Sequence, residues 1–72
     1  MPRYFFHISS GKPHRDEMGE DLRDGAEAWL QAKRLTRDIE DTLEPNGHWK
    51  VEVTDKHGLL LYRIEIVGRK FR

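Results

Sequence analysis

The clearest regularity along the chain is an alternation of apolar and polar positions that changes period twice. Arg3 to Ile8 is rich in aromatic and β-favouring residues, and ends at the turn formers Ser9, Ser10, Gly11, Lys12 and Pro13. This pattern predicts a strand with Tyr4, Phe6 and Ile8 on one face and Phe5 and His7 on the other. Both faces would then carry apolar or semi-apolar groups. From His14 to Arg23 the chain is acidic and broken by Gly19, which leaves room for at most a short second strand near Arg15 to Met18.

At Asp24 the period becomes helical. Asp24 and Glu27 have the spacing of a capping box, and Ala28, Ala32, Leu35, Ile39 and Leu43 then recur as one apolar stripe flanked by Trp29 and Thr36. Pro45, Asn46 and Gly47 stop the helix, because proline cannot continue the ladder and glycine accepts a left-handed turn. Asp38, Glu40, Asp41 and Glu44 load the helix C-terminus with acid, which the helix dipole disfavours by about 0.3 to 1 kcal/mol per charge. Such a cluster calls for a basic neighbour.

Two-residue alternation returns at Trp49, Val51 and Val53, set against Lys50, Glu52 and Thr54. Asp55, Lys56, His57 and Gly58 have the composition of a tight turn, and Leu59 to Val67 is the return strand of a hairpin. Two registers fit. A bulged turn pairing Asp55 with Leu59 aligns Val53 with Leu61, whereas a two-residue loop aligns Val51 with Tyr62 and Trp49 with Ile64. In both, Leu59, Leu60, Leu61 and Tyr62 put apolar groups on both faces. The predicted fold is α+β: a small antiparallel or mixed sheet of three to four strands with one helix on one face, in the order β-(β)-α-β-β.

Length narrows the rest. With 72 residues there is room for one domain, whose residues 68–72 read as a loosely ordered basic tail. Such a chain buries only about 60% of the surface it exposes when unfolded, and so has a marginal core. There is no cysteine, hence neither a disulfide nor a thiolate metal site. An association partner is the remaining source of stability. The opening apolar stretch is too short for a signal peptide, and Leu59 to Tyr62 falls far below the roughly 20 residues that cross a bilayer, so a cytoplasmic location without membrane contact is expected. Thirteen basic and thirteen acidic residues cancel, which gives no global field to attract a polyanion.

Candidate chemistry is sparse. His7, His14, His48 and His57 match no metal-ligand spacing, and His7, inside an aromatic strand, reads as a structural histidine needing a hydrogen-bond partner. Asp16, Glu17, Glu20, Asp21 and Asp24 do not have EF-hand spacing and read as a solvated acidic loop. No phosphate loop or nucleophile elbow is present. No catalytic residue, metal site or cofactor is therefore expected. Arg63, Arg69, Lys70 and Arg72, beside Tyr62 and Phe71, are candidate nucleic-acid contacts, although charge balance favours their pairing with acids.

The opening Pro2 to Ile8, the acidic Asp16, Glu17, Gly19 segment leading to Leu22 and Asp24, and the late Val51, Glu52, Val53, Thr54, Asp55, Gly58 hairpin together resemble a family of short bacterial proteins, the domain-of-unknown-function family 6894. Ala26, Glu27, Ala28 and Ala32 fit its Ala- and Glu-rich helix, while Trp29 is bulkier than usual there and the Gly68 to Arg72 end lies outside the pattern. The resemblance implies a free-standing bacterial cytoplasmic protein and carries no activity. A looser likeness to small antitoxin domains of the HicB kind is fold-level analogy. The expected function is a non-enzymatic interaction module, a homodimer or a binder of another protein, with Phe5, His7, Leu59 and Leu61 as contact residues. The alternative is an antitoxin-like or nucleic-acid-binding regulator that uses the C-terminal cations.

Overall fold

Alternation in the strands and the apolar stripe of the helix meet in one layer-on-layer arrangement. The computed structural model describes residues 1–10 and 13–72. It contains β1 (Arg3–Ser9), β2 (Pro13–His14), β3 (Glu20–Asp21), α1 (Gly25–Glu40), β4 (His48–Thr54) and β5 (Leu60–Val67). The strands lie in the order β2-β1-β4-β5, and β3 also pairs with β1. Every pairing is antiparallel. The α+β expectation therefore holds, with a wholly antiparallel sheet and one helix.

The core forms where the small residues of the helix stripe let it approach the sheet. Ala28 and Ala32 are fully buried against Tyr4, Phe6, Leu22 and Val53, with Leu35, Tyr62 and Ile64 packed around them. Cross-strand pairing aligns Phe6, Val53 and Tyr62 in one row and Ile8, Val51 and Ile64 in the next, all on the helix side. Asp24 caps the helix by accepting the Glu27 N–H at 3.0 Å. The Glu27 carboxylate turns instead to Arg23, 3.5 Å away, so only half of the expected capping box is used. The helix also stops earlier than Pro45 requires. The Thr42 hydroxyl donates to Ile39 O at 2.9 Å and the Thr42 N–H to the same oxygen at 3.0 Å, which tightens the last turn and leaves Leu43 outside the helix.

Neither expected hairpin register is the observed one. Asp55 N–H donates to Leu59 O at 3.1 Å, and Thr54 pairs with Leu60, as a bulged turn requires. Gly58 supplies the positive φ of 81°. A second irregularity between Val53 and Thr54 then absorbs one residue of β5, so that Val53 meets Tyr62, Val51 meets Ile64 and Trp49 meets Ile66. The bulge has a clear consequence. Without it Arg63 would lie opposite Val51 under the helix; with it Tyr62, Ile64 and Ile66 all face the helix side, and Arg63 faces the open side opposite Glu52.

The short strand expected at Arg15 to Met18 is not there. Two two-residue strands flank that stretch instead, and the turn expected at Ser9 to Pro13 lies partly outside the described residues. The C-terminal segment makes two bonds at its start: Gly68 N–H donates to Gly47 O at 2.9 Å and Lys70 N–H to Asn46 Oδ1 at 3.1 Å.

Candidate functional site

Two regions of the sheet are available to other molecules: the face away from the helix and the border formed by β5. On the open face the side chains of β1, β4 and β5 form rows, of which His7, Glu52 and Arg63 make the central one. Arg63 donates through Nε and Nη2 to Glu52 Oε2 at 3.0 and 2.9 Å, and Lys50 Nζ lies 3.8 Å from the other oxygen. The Arg63 hydrogen bonds, reinforced by the Lys50 charge, hold the Glu52 carboxyl below its ordinary value. His48 Nε2 lies 3.7 Å from Glu65 Oε2 in a neighbouring row. The central rows of this face are polar and ionic, whereas Phe5 and Leu60 occupy the row beside the hairpin turn and Val67 the last one, so the apolar excess expected there is confined to its ends.

His7 is committed within the chain. Its Nδ1 accepts the Asp16 N–H at 3.1 Å, so the proton resides on Nε2, which donates to Thr54 Oγ1 at 3.0 Å. Asp16 is the centre of this arrangement. Its Oδ2 accepts the Phe6 N–H at 3.1 Å, and its Oδ1 accepts from Met18 N at 3.0 Å and Gly19 N at 3.1 Å. Partial burial alone would raise the Asp16 carboxyl, but these three N–H donors hold it below its ordinary value. β1 pairs with β3 through Arg3 and Tyr4 and with β2 through Ile8 and Ser9, and the Asp16 carboxylate fills the gap between them. The aspartate thus acts as one missing residue of a neighbouring strand. Its sequence signal was present as Asp16 followed three residues later by Gly19, a side-chain-capped turn spacing, which was read only as a solvated acidic loop.

Gly19 completes the closure. Its φ is 71°, and a Cβ there would lie 2.8 Å from Phe5 Cε2, so only glycine lets the loop rest on the Phe5 ring. Phe5 is accordingly half-buried by its own chain. Of the other expected contact residues, Leu59 is exposed at the hairpin turn. The bulge places Leu60 on the open face near His7, whereas Leu61 lines a surface depression with Met1 and Tyr4. Phe5, His7, Leu59 and Leu61 therefore do not form one apolar patch.

The candidate cations are also separated. Arg63 is engaged by Glu52 in mid-strand, while Arg69, Lys70 and Arg72 follow the end of β5, where Lys70 is tied to Asn46. At about 3.3 Å per residue, the five steps from Arg63 to Gly68 span roughly 17 Å. Among the described residues, no ion pair joins Asp38, Glu40, Asp41 or Glu44 to a cation. No cluster of three or more metal-ligating side chains occurs among them either.

The second region went unread in the sequence. On its outer side β5 has no neighbouring strand among the described residues. Beside it the Trp29 and Tyr62 rings meet with centroids 5.2 Å apart at 46°, and with Ala26 and Leu30 they line an apolar depression. Trp29 is 37% exposed and Leu30 49%. Here Trp29, flanking the helix stripe, overhangs the last strand, and no further strand lies beyond it among the described residues.

The geometry can be set beside known proteins. The family model described as Domain of unknown function (DUF6894) matches residues 3–67. The chain belongs to this family. The DUF6894 match begins at the first residue of β1 and ends at the last residue of β5. It takes in the Asp16 loop, the helix and the bulged hairpin, and leaves Arg69, Lys70 and Arg72 outside. No curated protein and no solved structure matches the chain. Among the described residues of this DUF6894 chain, no helix is long and apolar enough to cross a membrane.

Proposed function

We propose that the chain is a non-enzymatic interaction module that works as a homodimer, joined through β5. The observation that carries this reading is the inequality of the two sheet borders. One is occupied by β2, β3 and the Asp16 carboxylate, while the other is an eight-residue strand with no outer neighbour among the described residues and an apolar depression beside it. An unprotected strand border is a template for another strand. Two-fold pairing of identical strands is the simplest closed way to satisfy it. The marginal core of a chain this short supports the same reading, since association stabilises the folded state by mass action.

Catalysis finds little support. Both ring nitrogens of His7 are held by bonds that close the Asp16 loop, and the open-face carboxylate of Glu52 is neutralised by Arg63. Binding of nucleic acid through Arg63, Arg69, Lys70 and Arg72 is weakened as a reading by the Glu52 pair and by the distance between Arg63 and the other three. Sedimentation velocity across the micromolar range tests the proposal. A concentration-dependent shift to twice the protomer mass is expected, and a protomer that stays single throughout would overturn it. Salt-sensitive binding of labelled DNA or RNA at low ionic strength, with no self-association, would favour the regulator instead.

A further inference from the structure

The register of that dimer can be derived from β5 itself. In an antiparallel ladder, successive residues direct their backbone N–H and C=O groups alternately toward one neighbour and the other. Gly68 N–H donates to Gly47 O, which makes this pair a hydrogen-bonded one. Counting back along the observed register, Ile66 with Trp49 and Ile64 with Val51 are also hydrogen-bonded pairs. The backbone groups of Arg63, Glu65 and Val67 therefore point away from β4, to the free border.

Resting on the dimer reading above, we infer that β5 pairs with β5 of a second copy about a two-fold axis at Ile64, which sets Arg63 of each copy against Glu65 of the other. Of the centres at Arg63, Ile64 and Glu65, Ile64 alone combines the available backbone groups with opposite charges across the junction. An axis at Glu65 opposes Glu65 to itself, and an axis at Arg63 opposes Arg63 to itself; like charges directly opposite destabilise a ladder. With Ile64 on the axis, Arg63 and Glu65 of the second copy exchange backbone hydrogen bonds. The open-face row then reads Glu52, Arg63, Glu65, Lys50 across the junction, in alternating sign, the last two from the second copy. On the other face Ile64 meets Ile64 and Tyr62 meets Ile66. The axis is perpendicular to the sheet, so both helices lie on the same side, and the Trp29 depression of each copy faces the joint.

The test uses complementary charge reversal in the full chain, with circular dichroism to verify folding. R63E and E65R each bring like charges together twice, so each alone should self-associate roughly tenfold more weakly than the parent chain. Their equimolar mixture restores both opposite-charge contacts and should form a heterodimer. If R63E does not fold, single-cysteine variants answer the same question in a chain with no native cysteine. I64C pairs with itself across a non-hydrogen-bonded site, at about 4.5 Å between Cα atoms, and should cross-link on mild oxidation. I66C lies roughly 13 Å from its counterpart and should not. A dimer that survives both reversals unchanged, or cross-links through I66C and not I64C, overturns this register and leaves the dimer standing. A parent chain that remains a protomer overturns both.

Discussion

The borders of this sheet pose one problem and treat it in opposite ways. Along β1 every stretch of outward backbone has a counterpart: β3 at Arg3 and Tyr4, the Asp16 carboxylate at Phe6, and β2 at Ile8 and Ser9. Along β5 no such cover is present among the described residues. The first border uses the stretch from Pro13 to Asp21, anchored by one aspartate and one glycine. The second leaves an alternating strand, Arg63, Ile64, Glu65, Ile66, whose charges complement themselves in reverse. A border closed from within resists company, and on the proposed dimer reading a border left open with self-complementary charge selects it.

The largest expected effect comes from opening the closed border. Asp16→Ala removes the acceptor of three N–H groups and should cost about 2 kcal/mol in urea unfolding, the range for hydrogen bonds to a charged group. It should also make the β1 border sticky, visible as association that E65R does not relieve. Closing the open border comes next. Glu65→Pro removes an N–H that points outward while leaving the β4 ladder intact, so it should weaken the dimer roughly tenfold with little change in protomer fold. Sedimentation against a thermal melt separates the two quantities.

Gly19→Ala should cost about 1 kcal/mol, because the positive φ and the 2.8 Å approach to Phe5 both oppose a side chain. Acid should loosen the same loop more gently. The folded Asp16 carboxyl lies below its ordinary value of 3.8, so the folded state binds fewer protons than the unfolded one near that pH. Its contribution is complete above about pH 5 and is lost as pH falls through 4 and below. A pH series of urea midpoints should show this slope, reduced in Asp16→Asn. Smallest of all, Glu52→Gln should change protomer stability by about 0.5 kcal/mol, since the pair with Arg63 is partly exposed.

Much of the fold is legible in local pattern. The Tyr4, Phe6, Ile8 alternation, the Ala28, Ala32, Leu35 stripe and the Asp24 cap each report a choice made within a few residues, and each element formed where its pattern lies. The Asp16 loop was not legible because its partners, Phe6 and His7, are nine or ten residues away and their bonds depend on the chain returning to β1. The register of β5 escaped for a related reason. A turn allows several offsets, and the deciding energy is the cost of placing Arg63 under the helix.

Residue order alone, through period, capping and turn chemistry, was enough to determine one helix, one hairpin, an aromatic first strand and the absence of any thiol chemistry. Only the tertiary structure decided which strand border is closed, which side of β5 faces the helix and which side chains are already occupied. Those outcomes depend on groups far apart in the chain competing for the same backbone donors and the same apolar face. Such competition has no local signature, because each contestant looks ordinary until the others are in place.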